Sequence, residues 1–314
     1  MIQMQKKLSS LEDGLEEFKT ECKVKNLSND TIGYYEENFG YFRDFLNDTF
    51  KDLDIKNDIS SQTIKNYIVY MKDKDLKETT INIRLRGIRS ILYYFMDNNY
   101  IDNFKIQLLK QDETIPEVYT DEEIQKLLKK PNIKKCSFAE YRTWVVENFF
   151  VGTGVRSKTL RYIEIKDLDF ENELICLTTM KGRKMVFIPM SKSLKKILIE
   201  YLRIRGGEPN DYLFCNLEGK QLTKYALSDI INKYNKSRGV SKTGVHLFRH
   251  YFAKKYIQNG GNALKLQKLL AHSTLEQTQH YVNLYGQDLQ KDYEQFNPLD
   301  QLNMSNDRIK MRIA

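Results

Sequence analysis

The chain is sparing with cysteine. Its 314 residues hold four, Cys22, Cys136, Cys176 and Cys215, far apart and never as a CxxC pair. A disulfide framework would be unusual at this length, and the thiols read as reduced and mostly buried. Long apolar runs are missing too, and none approaches the ~20 residues of a membrane-spanning helix. Residues Met1 to Glu12 lack the apolar segment of a secretory signal. The expectation is therefore a cytosolic protein with no membrane partner. Internal repeats and long low-complexity tracts are absent. Acidic residues fall short of basic ones, 42 against 50, for a formal charge of +8 and a pI near 9.0. A basic, aromatic-rich chain suggests an anionic polymer as partner, although so modest an excess matters only if it is patterned.

What is present falls into two parts, as expected for this length. From Leu8 to Leu109 the pattern is helical. Leu11, Leu15 and Phe18 form one apolar stripe, and Ile32, Tyr35, Phe39, Phe42 and Leu46 form another behind the cap sequence Ser28-Asn29-Asp30. Further helices fit Ser61 to Lys72 and Thr79 to Asn98. The last carries Arg84, Arg86 and Arg89 opposite its apolar stripe, with Thr79, Thr80 and Asn82 nearby and few acids. A solvated surface is the usual fate of such a face. The company of threonines and asparagine favours DNA-backbone contacts here.

Residues 105–118 read as a connection, with residues 110–119 as the linker proper. A second domain spans residues 120–298, opening on the capping sequence Thr120-Asp121-Glu122-Glu123. A helix over residues 140–151 stops at Gly152 and Gly154. Short β runs follow at 163–170, 174–178 and 185–189, the last two flanking a turn at Lys181-Gly182-Arg183-Lys184. Helices resume at 192–203, 224–238, 246–259 and 262–270. Ser273 to Glu276 reads as a capping box that places Tyr281 on a final helix. Residues 299–314 form a tail in which Ile309, Met311 and Ile313 alternate with basic residues. It reads equally as a frayed end or as a strand given to a second copy.

All four histidines, His246, His250, His272 and His280, lie between Thr243 and Tyr285. His246 and Arg249 are three apart on one helix face. An arginine fork for phosphate oxygens beside an imidazole that trades protons suits a phosphodiester. His246 and His250 also have the spacing of a zinc pair. Arg249 between them, the missing glutamate of an HExxH motif and the lack of a third ligand argue against a metal. His250 reads as a core or supporting imidazole. Arg156 follows Thr153-Gly154-Val155 and precedes a helix start, where backbone N–H groups favour anions; a surface ion pair is the commoner role of a single arginine. Lys181, with Arg183 and Lys184 as competitors, sits where a turn cation could protonate a leaving oxygen. Tyr281 is one of twenty tyrosines, with Tyr285 one turn later. A phenol ordinarily titrates near ~10 and needs positive neighbours to attack, a role open to Arg156, Arg249 and His272.

These pieces, in this order, resemble the tyrosine recombinase (phage integrase) family over nearly the whole chain. Thr153-Gly154-Val155-Arg156 is similar to its first arginine box, and His246 to Ala253 to its HxxR box. Leu269 to His272, with Thr278 and Tyr281, is similar to its final histidine and nucleophile box. Lys181 falls at its β-hairpin lysine. Thr159 stands where the family often has an acid, and Ala271 where it usually has glycine. The resemblance implies a mainly α fold with a small β-sheet: an N-terminal helical, SAM-like core-binding domain and a C-terminal mixed α/β catalytic domain, closing as a clamp on duplex DNA.

It also implies the chemistry. Tyr281 attacks a scissile phosphate to give a 3′-phosphotyrosyl link. Arg156, Arg249 and His272 stabilise the non-bridging oxygens, Lys181 protonates the 5′ oxygen, and His246 assists. Neither cofactor nor metal is expected. The implied partners are double-stranded DNA with specific recombination sites, three further copies in a tetramer, and accessory bending or directionality factors. Two other classes stay open: a catalytically silent DNA-binding homologue, and a type IB topoisomerase-like enzyme.

Overall fold

The computed structural model describes residues 8–111, 117–178, 185–272 and 274–285, by backbone alone at positions 280 and 283–285. Lys181 and its turn, Ser273 and the tail lie outside the described residues. The chain divides into two compact units, Met1–Thr114 and Ile115–Ala314.

The first unit is helical among its described residues: α1 (Leu11–Val24), α2 (Asn29–Thr49), α3 (Ile55–Asp58), α4 (Ser61–Asp73) and α5 (Glu78–Asp97). Serine side chains start three of them by accepting an N–H of the first turn, Ser10 for α1, Ser28 for α2 and Ser60 for α4. The apolar stripes meet in one core that includes Phe39, Phe42, Leu46, Tyr67, Ile88 and Leu92. Close approach of α2 and α5 depends on Gly87, where an added Cβ would lie 2.6 Å from the Asn38 Cβ. The segment after α5 stays on this core. Ile106 is buried, and the Asn82 amide donates to the Leu109 carbonyl at 2.9 Å while its oxygen accepts the Leu109 N–H at 2.8 Å. The stretch read as a connection from Lys105 onward thus begins as part of the first unit.

The second unit is built around α7 (Phe138–Thr153), which follows α6 (Asp121–Leu128). Helix α7 is buried on nearly every side, as a helix without a polar face must be. It packs against α6, α9 (Lys192–Arg205), α10 (Lys224–Ser237) and α11 (Val245–Gln258). After α8 (Ser157–Tyr162), strands β1 (Leu168–Asp169), β2 (Leu174–Leu177) and β3 (Val186–Pro189) form an antiparallel sheet in that order. Leu174 pairs with Pro189 and Leu177 with Val186. Helices α12 (Ala263–Leu270) and α13 (Glu276–Tyr285) pack on α11 and on each other.

The strand expected over residues 163–170 is mostly something else. Glu164 forms a lone bridge to Tyr212, Ile165–Asp167 is a 3-10 turn, and only Leu168–Asp169 is strand. The Asp167 carboxylate accepts the Glu164 N–H at 2.9 Å. That local bond closes the turn and overrides the apolar pattern.

One group in this core runs against its surroundings. Glu147 on α7 is 0% exposed, and neither carboxylate oxygen has a hydrogen-bond partner. Burial pushes its carboxyl well above the usual range, with Arg238 opposing weakly, so it is held in the neutral form. Its folded-state affinity for a proton exceeds that of the unfolded chain, so stability falls as pH rises above the ordinary carboxylate range. Glu147→Met keeps the volume and removes the stranded oxygens, and should stabilise the protein by about 1–3 kcal/mol. In urea denaturation the gain should widen from about pH 5 to pH 8; a gain that shrinks over that interval would contradict a neutral Glu147.

Candidate active site

The site is assembled where α7 ends, α11 passes and α12 ends. Helix α7 terminates at Gly154 in the left-handed region, φ 63°. A Cβ there would lie 2.5 Å from Phe252 as well as being strained. The turn leaves Arg156 at the N-cap of α8 and exposes the Gly154 carbonyl to α11.

Two guanidinium groups converge on the main chain around this turn. Arg249, 6% exposed, donates from Nη1 to the Gly154 carbonyl at 2.9 Å and from Nη2 to the Leu270 carbonyl at 2.8 Å. Arg156, half-buried, donates from Nη1 to the Ala271 carbonyl at 3.2 Å and more weakly to Leu270 at 3.4 Å. The end of α12 thus gathers both cations. Burial, and then Arg156, bring Arg249 down to about 10, so it is still charged at neutral pH. Burial likewise lowers Arg156.

His272 follows directly. Its Nδ1 lies 2.8 Å from the Thr278 hydroxyl of α13. Burial first, then Arg249 and Arg156, hold it at about 4. Neutral His272 does not supply positive charge to the phenol, contrary to the sequence expectation. With the Thr278 hydroxyl donating to Nδ1, the ring proton sits on Nε2, ready to be given to an oxygen. His246, exposed on the first turn of α11, is lowered by dehydration and then by Arg249, Arg156 and Lys224. For both imidazoles burial first, and then the two arginines, disfavour the cation.

Tyr281 is 5% exposed and belongs to a small cluster with Ala253, Leu266 and Leu270. Its ring lies parallel to that of His272, 4° between planes and 6.2 Å between centroids. Its hydroxyl lies 2.8 Å from Nδ1 of His250. The sequence reading placed His250 as a core or supporting imidazole; the structure sets it on the Tyr281 hydroxyl. Its position next to Arg249 on α11 was the available signal, but helix spacing alone does not show what packs across from it. Arg156 and Arg249 both interact electrostatically with Tyr281. Arg156, Arg249, His246, His272 and Tyr281 are thus brought together, and Lys181 lies outside the described residues. Among the described residues no three His, Cys, Asp or Glu side chains group as metal ligands.

The two departures from the family pattern acquire a physical meaning here. Thr159 is buried, 3% exposed, where an acid would carry a charge into the core. Ala271 adopts φ 48°, ψ 53°, the left-handed cap of α12, a conformation in which glycine avoids a Cβ penalty of about 1–2 kcal/mol. Ala271→Gly should therefore raise stability by about 1 kcal/mol, read as a higher denaturation midpoint. A lower midpoint would show that Cβ contacts outweigh backbone strain.

The candidate DNA face of the first unit is split by the structure. Asn82 is 1% exposed and engaged with Leu109, so it does not belong to an exposed face. Arg84 turns to α2 and stacks over the Tyr41 ring, 3.8 Å from its centroid. Arg86 is exposed and Arg89 partly so, and both interact with Tyr34 of α2. Thr79 is exposed and Thr80 half-buried. Arg86, Arg89 and Thr79 keep the solvent-facing side.

Buried Arg249, half-buried Arg156, a neutral His272 and a docked Tyr281 meet on a helical scaffold with one small sheet. Residues 117–287 match the phage integrase family, and residues 11–112 match the phage integrase SAM-like domain. The chain belongs to the phage integrase family. It is 27% identical over 286 residues to a tyrosine recombinase, XerC, of Staphylococcus aureus, covering 87% of this chain and 92% of the relative. Its fold matches the Tn1549 transposon integrase in complex with circular intermediate DNA, with TM-score 0.69 and 21% identity, over 85% of this chain and 94% of that one. It also matches the XerH site-specific recombinase bound to a palindromic difH substrate, with TM-score 0.69 and 24% identity, over 87% and 82% of the two chains. The chain is thus homologous to tyrosine recombinases, and these relatives favour neither the silent-homologue nor the topoisomerase-like alternative.

Proposed function

We propose that the protein breaks and rejoins duplex DNA at specific sites, with Tyr281 as nucleophile. The observation that carries this reading is the meeting of Tyr281 with Arg156 and Arg249 around the end of α12. The arginines remain charged at neutral pH and hold fixed positions before any phosphate arrives. Preorganised donors of this kind supply most of the help that a developing pentacoordinate phosphate needs. His272 donates from Nε2 to a non-bridging oxygen, His246 lies on the same rim, and Lys181 protonates the 5′ oxygen as it leaves. The 3′-phosphotyrosyl link keeps the energy of the diester, so rejoining needs no nucleotide and no metal.

In this reading the substrate is double-stranded DNA bearing recombination sites, reached in the cytoplasm, with Arg86, Arg89 and Thr79 on phosphates. Four copies assemble on two sites and exchange strands through a Holliday junction, with the tail passing between copies. The element moved is of the mobile class, and accessory factors set direction. The test is covalent trapping on a nicked duplex taken from the flanks of the encoding element. An SDS-resistant protein–DNA adduct is expected; bound DNA with no adduct would return the protein to the silent class.

A further inference from the structure

The contact between Tyr281 and His250 is the part of this site left without a role. The hydroxyl is 2.8 Å from Nδ1, the rings are 5.7 Å apart and inclined at 46°, and the phenol is almost wholly buried. A buried phenol held on an imidazole nitrogen has a ready acceptor for its proton. The other imidazoles of the site are placed differently: His272 has its Nδ1 on Thr278, and His246 lies exposed on the first turn of α11. The arginines can stabilise a phenolate but cannot take a proton from the phenol at neutral pH.

Building on the proposed recombinase chemistry, we infer that His250 is a catalytic residue, the general base for cleavage and the general acid for rejoining. In cleavage, neutral His250 carries its proton on Nε2 and presents the Nδ1 lone pair to the phenol. The Oη–H bond breaks, its proton passes to Nδ1, and Oη bonds to phosphorus. The bond from phosphorus to the 5′ oxygen breaks, and that oxygen takes a proton from Lys181. His250 ends as imidazolium and Lys181 as amine, so charge and protons balance. Rejoining reverses each transfer, with imidazolium His250 returning the proton to the departing Tyr281 oxygen. The two ends of the reaction thus have separate proton carriers, His250 on α11 and Lys181.

The experiment is single-turnover cleavage of the nicked duplex by full-length wild type, Tyr281→Phe, His250→Ala, His250→Asn and Lys181→Ala. It is run once with a normal scissile phosphate and once with sulfur replacing the 5′ bridging oxygen. On normal DNA, His250→Ala should cleave about 10²–10³-fold more slowly with binding retained, the usual worth of a positioned base. His250→Asn, which offers an oxygen to the phenol but cannot take up a proton, should remain slow. The sulfur leaving group needs no protonation, so it should rescue Lys181→Ala and leave both His250 variants slow. Either of two results overturns the inference: an Asn variant restored to near wild type, showing that seating the phenol is enough, or rescue of His250→Ala by sulfur, placing His250 on the leaving-group side. A wild type that forms no adduct removes the recombinase reading and this inference together. A wild type that does, matched in rate by His250→Ala, removes the inference alone.

Discussion

Tyr281→Phe should abolish the SDS-resistant adduct completely while DNA binding is retained. The substitution is as narrow as chemistry allows. The ring keeps its place beside Ala253, Leu266 and Leu270 and its parallel setting on His272. Only the hydroxyl is lost, with its hydrogen bond to His250, and that bond should change stability by only about 1 kcal/mol. A protein that folds, binds and never becomes covalently linked would place the defect on one oxygen atom. The competing tyrosine is Tyr285, four residues later on α13. An adduct that persists in the Tyr281 variant and disappears when Tyr285 is changed would transfer the role to it. The case for Tyr281 rests on its surroundings, since both arginines feel its charge.

Helix positions were legible because capping residues and apolar stripes agree with one another. Ser28 opens α2 and Thr120 opens α6 as their spacing indicates, and Gly154 closes α7. The set Arg156, His246, Arg249, His272 and Tyr281 was singled out by resemblance to a family that carries these residue types in this order, since chemistry fixes residue type but not order along the chain; the fold brings them close together. Three things were not readable. Residues 163–170 look like a strand because their apolar content is right, but the Asp167 carboxylate accepts the Glu164 N–H and bends the chain. Asn82 carries the polar character of an exposed helix face, yet its partner is Leu109, twenty-seven residues away. The charge of His272 depends on two arginines and on burial, both products of tertiary packing. Each failure concerns a group whose partner is set by the folded chain or by a local bond stronger than the periodic pattern.

Arg249→Ala should slow adduct formation by about 10³-fold or more and also weaken the fold, whereas Arg156→Ala should act mainly on the rate. The difference follows from placement. Removing one preorganised donor to a developing oxyanion commonly costs about 10²–10³ in rate. Arg249 adds to that its clamp between the Gly154 and Leu270 carbonyls at 2.9 and 2.8 Å. Without it the end of α7 and the end of α12 lose their common tie, and Arg156, which depends on the Leu270 and Ala271 carbonyls, loses its seat. Hydrogen bonds to a charged group contribute about 1.5–3 kcal/mol each. Part of that is offset because a dehydrated cation also leaves the core, so a net loss of about 2–4 kcal/mol is expected. Arg249→Lys separates charge from geometry. An ammonium keeps the positive charge but has no planar fork to reach two carbonyls at once. If the site needs only a cation, the Lys variant should cleave near wild-type rate; if it needs the clamp, the variant should be nearly as slow as Ala. The second outcome is expected, because the two carbonyls lie on different elements that no single Nζ spans in the same way. Denaturation and single-turnover cleavage of the three variants should then move together at Arg249 and separately at Arg156. A rate loss at Arg249 with no loss of stability would mean that the carbonyls find other donors and that the guanidinium acts on the phosphate alone.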